Sequence, residues 1–307
     1  MVGAGRCTRK READTACIYT QLLQLPGYTI TPHVWSRGRK VRVEVEEVEP
    51  LTAPPFSAPD YSLAMAPYSG MSVFELRQKV RPATGGDSVA HYQFGAGTIT
   101  TVVRDSNYKG ITYILSCNHV LARLNNAVFG DPILQPAAGY GGSYPLDLIA
   151  WLSRFIPLSA APGNENTVDC AVAYAPPGSV LPGEVAWLGN TNGIRSKAGV
   201  DVDEDVRKVG SASGLNEGSI IAIHATVKIT YALPGLSPLT CVFSDQLLTT
   251  PMSAYGDSGS LLLDVDNNAV GMLFAGSTTH TCYNYLENVQ SALGVIVSEN
   301  VVGQLDD

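Results

Sequence analysis

The sequence has little charge, few cysteines and no long apolar run. Charged residues make up only 16% of the 307 residues, and 28 acidic against 20 basic side chains give a formal charge of -8. Beyond Arg6 to Arg11 there is no basic run that could bind a phosphate backbone, so we expect no nucleic-acid partner. No stretch reaches the roughly 18 apolar residues of a membrane helix, and charged residues occupy the place of a secretory signal core. We therefore expect a soluble, cytoplasmic protein with no membrane partner.

The cysteines are too sparse for a disulfide scaffold and include no C-x-x-C pair for zinc. They are six in number: Cys7, Cys17, Cys117, Cys170, Cys241 and Cys282. Free thiols in a reducing compartment are the simplest interpretation. The acidic loops lack the Gly and Glu positions of a calcium loop, and no glycine-rich phosphate loop is present. We expect neither a metal nor another cofactor.

Glycine and proline are abundant, and they separate short apolar segments. The chain has 30 glycines and 19 prolines, with Val, Thr, Ile and Tyr common between them. After Gly85-Gly86 the apolar runs follow one another with turns between them and hardly any long helix, which favours an antiparallel sandwich or closed barrels. Nine segments are predicted strands: Gly97 to Arg104, Ile111 to Ser116, Asp147 to Pro157, Val168 to Ala175, Val206 to Gly210, Ser219 to Tyr231, Cys241 to Thr249, Gly259 to Val265 and Ala269 to Ala275.

The first 80 residues have a different pattern and predict a small αβ unit. Apolar residues at helical spacing predict a short helix within residues 11–25. Residues 28–35 and 41–48 flank a turn and predict a hairpin, because Val alternates with charged residues in its second strand. We therefore expect a separate N-terminal unit over residues 1–80.

A proline-rich linker closes this unit. Five prolines between Pro50 and Pro67 exclude both a helix and a central strand. Residues 71–77 could form one more strand or the lead-in to the next unit. Because the linker is short of basic cleavage sites, we expect the N-terminal unit to stay attached in the active protein.

Three segments each place a reactive side chain at the end of an apolar strand. His119 follows Tyr113 to Ser116, Asp169 precedes the run that ends at Ala175, and Ser258 precedes three leucines. Each residue alone has an ordinary structural explanation. His119 could be a hydrogen-bonded structural histidine, Asp169 a turn or cap residue, and Ser258 part of a tight glycine turn. Together they supply a nucleophile, a base and a group that orients the base, which a weakly nucleophilic serine requires. The three side chains are therefore candidate catalytic residues.

The glycines around Ser258 support the same interpretation. Gly256 lets the backbone fold so that the N–H groups of Gly256 and Ser258 converge on one point, as a developing oxyanion requires. An α/β-hydrolase would need G-x-S-x-G and the order Ser, Asp, His, and this sequence has neither. The order His, Asp, Ser therefore points to a different class of hydrolase.

The sequence resembles the chymotrypsin-like (trypsin-like) serine proteases from about Gly85 to Val302. The strings SCNHVLA, GDPILQP, NTVDCAVA, VRKVGSASGLNEG, SAYGDSGSLL and VGMLFAGST are most similar to a bacterial group of intracellular proteases related to the plant narrow-leaf protease. This resemblance implies a mainly β protease domain over 81–307 with two antiparallel six-stranded barrels, at about 85–180 and 181–302. It also implies His119 as general base, Asp169 as its orienter and Ser258 as nucleophile of a serine endopeptidase.

The resemblance assigns further positions and shows some departures. A buried acid beside the nucleophile needs a cation, and the aligned glycines place Lys208 against Asp257, with Arg207 as runner-up. Secreted relatives have disulfide cysteines at the places of Val120 and Ala254, so the departure fits a reducing compartment. Phe274 stands where a serine usually supports the triad aspartate, so the source of that hydrogen bond stays open.

The resemblance also locates the substrate-binding positions. Met252 and Ser253 are in the specificity region, and Phe274-Ala275-Gly276 is the strand that pairs with the substrate backbone. Since these positions hold no acid and no evident base, we expect a preference for medium or large apolar side chains, although His280 lies close by in sequence.

A catalytically silent protease fold that serves binding or assembly is the alternative. It would share every structural glycine, and only the intact triad argues against it. A protein or peptide is the expected partner, and a homo-oligomer is expected by family analogy alone.

Overall fold

The computed structural model describes residues 72–108, 110–233 and 235–297 in full, and the backbone of five strands closer to the N-terminus. Those strands are β1 (Gly3–Cys7), β2 (Thr15–Thr20), β3 (His33–Ser36), β4 (Arg39–Glu47) and β5 (Leu51–Ala53). The predicted hairpin is confirmed, because β3 and β4 pair antiparallel.

β5 lies within the predicted linker (Pro50 to Pro67) and pairs with residues 229–231 on one edge and with Gly276 on the other. The expectation that the prolines exclude a central strand is therefore wrong for residues 51–53, which lie between prolines and keep their own N–H groups. The other linker residues, 50 and 54–67, lie outside the described residues.

The helix predicted within residues 11–25 is wrong where the structure describes that segment. β2 occupies its centre and pairs with β1 on one side and β4 on the other. Its residues TACIYT are mostly β-branched or aromatic, which favour a strand. Strand pairing on both edges therefore outweighs the helical spacing of the apolar residues. The described part of the N-terminal segment is β rather than αβ.

The first barrel holds the predicted strands up to residue 175. Its elements and their lead-in are α1 (Val73–Leu76), β6 (Ala83–Gly85), β7 (Ser88–His91), β8 (Gly97–Thr98), β9 (Thr101–Asp105), β10 (Thr112–Ser116), α2 (Asn118–Leu121), β11 (Pro132–Leu134), β12 (Leu148–Phe155) and β13 (Ala171–Tyr174). The hydrogen-bonded order is β9-β10-β13-β12-β11-β7-β8. Because β8 leads directly into β9, the two act as one bent strand and close a six-stranded ring.

The second barrel closes in the same way. The remaining elements are β14 (Val180–Val185), β15 (Gly189–Asn190), β16 (Asp205–Gly210), β17 (Gly214–Tyr231), β18 (Leu239–Thr249), β19 (Leu261–Asp264), β20 (Ala269–Gly276), β21 (Thr281–Tyr285), α3 (Leu286–Leu293) and β22 (Val295–Val297). The order β16-β19-β20-β21-β18-β17 closes because β17 also pairs with β16. Outside this ring, β1 and β5 add to β17, and β22 returns to β9.

All nine predicted strands are confirmed. The sequence patterns missed short elements such as β7, β11 and β21, since their few apolar residues are interrupted by turns. The described part of the segment 71–77 contains the short helix α1 and no strand, and the Ser72 side chain caps this helix by accepting from the Phe74 N–H at 3.3 Å. The longest described helix, α3, has eight residues, and none of the described helices has the length and apolar character needed to cross a membrane.

One apolar cluster continues from the first barrel into the second. It includes Leu115 and Val172 in the first barrel and Tyr231, Phe243 and Phe274 in the second, all of them buried. Burying these side chains together removes several hundred Å² of apolar surface from water at roughly 25 cal/mol per Å². The packing holds β10, β13, β17 and β20 against one another, and the candidate site lies where these strands meet.

Candidate active site

His119 lies where β10 passes into α2. The strand ends at Ser116, the chain turns at Cys117, and the short helix begins at Asn118. The imidazole is only 3% exposed, and the Phe94 ring meets it edge-on with the centroids 6.4 Å apart. An apolar strand thus carries a titratable ring into the junction between the barrels and holds it there by packing.

Asp169 faces this histidine from the residues that precede β13. The His119 Nδ1 atom lies 2.6 Å from Asp169 Oδ2, and the His119 backbone N–H donates to Oδ1 at 3.2 Å. The carboxylate is fully buried. Two contacts to one carboxylate fix the rotation of the ring and make Nδ1 the protonated nitrogen, which leaves Nε2 as the basic nitrogen.

Two side chains of the second barrel complete the surroundings of Asp169. The Tyr231 hydroxyl donates to Oδ2 at 2.7 Å, and its ring centroid lies 5.5 Å from that of His119. Burial, followed by the nearby Asp169 charge, raises the pKa of the Tyr231 phenol well above its usual value, so the hydroxyl stays protonated as a donor. The Asp169 N–H donates to Asn284 Oδ1 at 2.9 Å. Sequence reasoning missed both residues, because neither lies in a motif and both come close only through the barrel packing.

Tyr231 supplies the hydrogen bond that the sequence left open at Phe274. The Phe274 side chain is fully buried and packs against Phe243, with ring centroids 4.8 Å apart. A phenylalanine at this place has no donor, and the long strand β17 brings a phenol to the carboxylate from another direction. The carboxylate is therefore satisfied by a residue distant from Phe274 in sequence.

Ser258 lies in a turn that two left-handed glycines shape. Gly256 has φ +105° and Gly259 has φ +99°, and a Cβ at Gly259 would come within 2.1 Å of the Thr98 carbonyl oxygen. A glycine is required at that position because no side chain fits. The Thr98 N–H donates to the Ser258 carbonyl at 2.8 Å, which ties the turn to the first barrel.

A single carbonyl joins the histidine and serine segments. The Leu273 oxygen accepts from the Gly259 N–H at 2.7 Å and from the Cys117 thiol at 3.2 Å. Gly259 directly follows Ser258, and Cys117 lies two residues before His119. The barrel packing therefore brings the two candidate catalytic segments to the same residue of β20.

The backbone around Ser258 leaves two N–H groups available. Within the described part of the chain, the Asp257, Gly259 and Ser260 N–H groups have backbone acceptors, whereas those of Gly256 and Ser258 have none assigned. The Gly256 carbonyl accepts from Thr98 Oγ1 at 2.8 Å and Ser211 Oγ at 3.0 Å, which fixes the orientation of the turn. Two fixed N–H donors beside a serine could bind a developing oxyanion.

Lys208 and Asp257 form a buried ion pair behind this turn. The Lys208 ammonium lies 2.7 Å from Asp257 Oδ2, and both side chains are 0% exposed. The backbone N–H groups of Ala212 and Ser213 donate to Oδ1 at 3.0 Å, and the Ala254 N–H donates to Oδ2 at 2.9 Å. Arg207, the runner-up, faces the other way and donates to Asn267 Oδ1 at 2.9 Å.

The charges of this pair support each other. Burial alone would raise the pKa of Asp257, but the Lys208 ammonium and the hydrogen bonds from Ser213 and Ala254 hold it below the usual value. Burial lowers the pKa of Lys208, and the Asp257 carboxylate opposes that shift. A buried charge without a partner would cost several kcal/mol, so each residue stabilises the charged form of the other.

The predicted substrate-binding positions surround the end of β20. Ser253 is half-buried, and its hydroxyl lies 3.0 Å from Thr281 Oγ1. A Cβ at Gly276 would meet Ser253 Oγ at 2.3 Å, so these two positions are neighbours. Met252, like Phe274, has its side chain in the core, and Ala275 is also buried. Met252, Phe274 and Ala275 would therefore contact a ligand through their backbone atoms, or would only shape the surface on which the ligand lies.

Cys117, His119 and Asp169 offer ligand atoms within 4.8 Å of one another, as a metal site would. Hydrogen bonds already engage these atoms: the thiol donates to Leu273, and the imidazole and carboxylate bind each other. Burial and the nearby Asp169 raise the pKa of the Cys117 thiol well above its usual value, whereas a metal ligand must be a thiolate. The chemistry of this cluster therefore suits a hydrogen-bonded histidine better than a metal.

Comparison with known proteins identifies the fold. No model of a known protein family matches the sequence, and no curated protein matches it. Solved structures do: protease A of Thermobifida fusca is similar with 14% identity and a TM-score of 0.50, over 70% of this chain and 98% of that one. A Nocardiopsis protease is similar with 17% identity and a TM-score of 0.50, over the same shares of the two chains. Together with the two closed barrels, this likeness establishes that the chain has the chymotrypsin-like fold.

Proposed function

We propose that the protein is a serine endopeptidase. The observation that carries the proposal is the buried contact of 2.6 Å between His119 Nδ1 and Asp169 Oδ2. The Leu273 carbonyl joins the segment of Ser258 to that of His119. In the proposed reaction Ser258 Oγ attacks a peptide carbonyl while His119 takes its proton, and the same histidine then protonates the leaving amine. Asp169 keeps the ring in the productive tautomer, and water later hydrolyses the acyl-enzyme.

The oxyanion would bind the N–H groups of Gly256 and Ser258. Support comes from the two available donors and from the ion pair of Lys208 with Asp257, which anchors the residue between them. Removing one such donor typically costs a factor of roughly 10² to 10³ in kcat. We further propose that residues 81–307 are the protease domain and that the segment before them is an attached accessory unit.

The substrate is a protein or peptide in this proposal. We propose a preference for medium or large apolar side chains before the cleaved bond, because Met252, Ala275 and Gly276 bring no charge to that region. Cleavage chiefly after Lys or Arg in a peptide-library profile would contradict this preference. The free, buried Cys117, Cys170, Cys241 and Cys282 support our further proposal of a cytoplasmic, reducing location, and a homo-oligomer remains a proposal by analogy.

A fluorophosphonate probe tests the proposed function. We expect it to label the wild-type protein covalently, and we expect Ser258→Ala and His119→Ala to abolish labelling and to lower peptide hydrolysis by roughly 10⁶. Ser258→Ala should retain the wild-type melting temperature within a few degrees, since its side chain is not part of the apolar core. His119→Ala also removes a hydrogen-bond partner of the buried Asp169 and should melt at a lower temperature. Equal hydrolysis by the wild type and Ser258→Ala would instead favour the silent binding or assembly scaffold.

A further inference from the structure

One edge of β20 is left open by the second barrel. β19 pairs with β20 only from Ala269 to Met272, whereas β21 pairs with the opposite edge as far as Gly276. The Leu273 carbonyl binds Gly259, the residue after Ser258. The free edge over residues 274–276 therefore begins beside the candidate nucleophile and runs away from it.

β5 lies on this free edge. Thr52 pairs antiparallel with Gly276, and because Thr281 already takes the other edge of Gly276, β5 must be on the open side. The same three residues pair parallel with Ile229 to Tyr231 of β17. A segment from the N-terminal part of the chain thus bridges the C-terminal ends of β17 and β20.

The direction of β5 is the direction that a substrate would take. An antiparallel strand on β20 runs from Gly276 toward Leu273, and therefore toward Ser258. Ala53, the last residue of β5, pairs with Tyr231, whose hydroxyl donates to Asp169. Its C-terminal end is therefore paired with the residue whose hydroxyl binds the candidate orienter.

We propose that residues 51–53 are an internal competitor for the peptide substrate at the free edge of β20. This inference rests on the proposed function. A peptide that adds a strand to a sheet edge binds through main-chain hydrogen bonds, and two strands cannot use the same donors and acceptors at once. If the segment is docked for nine-tenths of the time, the affinity for a substrate falls about tenfold. The protein therefore limits its own activity until the segment leaves.

The sequence after β5 makes this competitor a weak one. Pro54 and Pro55 follow Ala53, and proline has no N–H to donate to a ladder along β20. A substrate with ordinary residues there can make main-chain bonds that the internal segment cannot. Displacement by substrate then requires no cleavage of the linker, in keeping with the scarcity of basic cleavage sites there.

Two probes of Ser258 test the proposal in the full-length protein. A small alkyl fluorophosphonate needs only the reactive serine, whereas a tetrapeptidyl diphenyl phosphonate must also pair with the free edge of β20. We expect the variant Leu51→Pro/Ala53→Pro, which removes two N–H groups from β5, to react about tenfold faster with the peptidyl probe. Its rate with the small probe should stay within about twofold of the wild type. The control Ser62→Pro/Ala64→Pro adds the same two prolines elsewhere in the linker and should change neither rate.

The outcomes separate this inference from the proposed function. If neither the wild type nor either of the two proline variants reacts with either probe, the proposed protease function fails. If the small probe reacts but the peptidyl probe labels all three proteins at the same rate, the protease function stands and the internal competitor is refuted.

Hydrogen exchange of the wild type gives a measurement that needs no variant. Occupying Ser258 with the peptidyl probe should speed exchange of the amides of residues 51–53, because the probe displaces the segment, whereas the small probe should leave them protected. Unchanged exchange with both probes would overturn the proposal.

Discussion

Asp169 and Asp257 are two fully buried carboxylates of the same site, and they are stabilised in opposite ways. Asp257 is held by the Lys208 ammonium together with backbone and hydroxyl donors. Asp169 is held by the His119 ring, the His119 N–H and the neutral Tyr231 hydroxyl. In the described residues, Asp169 makes no ion pair with Lys or Arg, whereas Asp257 does.

The difference follows from what each carboxylate would do. Asp257 shapes the turn that carries Ser258, and a fixed cation anchors it without interfering. Asp169 would stabilise a positive charge that forms on His119 during the reaction, and a permanent cation beside it would weaken that effect. A neutral phenol satisfies the carboxylate and leaves its negative charge available to the imidazole. The two environments therefore suit an anchor and an orienter.

The largest expected effect comes from neutralising Asp169, the proposed orienter of His119. We expect Asp169→Asn to lower kcat for peptide hydrolysis by about 10⁴, because an amide can favour the wrong tautomer of His119. The overall fold should be retained, as circular dichroism would show. A loss of less than tenfold would mean that Asp169 does not orient the base.

The second-largest effect is expected from removing the Lys208 ammonium, which pairs with Asp257. We expect Lys208→Met to leave a buried carboxylate unpaired, to destabilise the protein by about 3–5 kcal/mol and to lower kcat by roughly 10² to 10³ as the oxyanion turn loosens. Urea unfolding and peptide hydrolysis would measure the two effects. Arg207→Met is the matched control, since its side chain binds Asn267 and lies away from Asp257. Full activity of both Lys208→Met and Arg207→Met would contradict the proposal that the ion pair of Lys208 and Asp257 anchors the turn of Ser258.

A smaller effect is expected at the phenol that supports the orienter. Tyr231→Phe removes one of the three donors to Asp169, and we expect kcat to fall by roughly 10- to 100-fold with KM nearly unchanged, in line with the roughly 1.5–3 kcal/mol of a hydrogen bond to a charge. Tyr283→Phe also deletes a buried hydroxyl in the second barrel and should leave kcat as it is. If the two variants behave alike, Tyr231 serves packing only.

A third buried carboxylate sharpens the comparison, because it forms no ion pair in the described structure. Burial raises the pKa of Asp87 to about 6, against hydrogen bonds from Thr84 and the charge of Arg81. A raised carboxyl pKa stabilises the fold below the unfolded pKa of about 4 and costs stability as the pH rises through 6. We therefore expect Asp87→Asn to gain about 3 kcal/mol in urea unfolding at pH 8 and almost nothing at pH 4. The same gain at both pH values would exclude titration as the cause.

Most strands of both barrels could be predicted from the sequence, because each is an apolar run bounded by turns, whereas the short strands β7, β11 and β21 could not. The helix expected within residues 11–25 could not be corrected from the sequence, since only pairing with β1 and β4 reveals the strand there. The positions of His119, Asp169 and Ser258 stand out because glycines and strand ends mark them locally. Tyr231 carries no such mark within the 18 residues of β17.

The sequence by itself determined most of the strand pattern and the order His, Asp, Ser, since turn chemistry and apolar spacing are properties of the chain. The expectation of a cation beside Asp257 rests on the family resemblance. Only the tertiary structure decided which groups meet. It selected Lys208 over Arg207, brought Tyr231 to Asp169 and laid β5 along β20, because these contacts join residues far apart in the chain. Barrel closure and strand register fix such distances, and no local pattern encodes them.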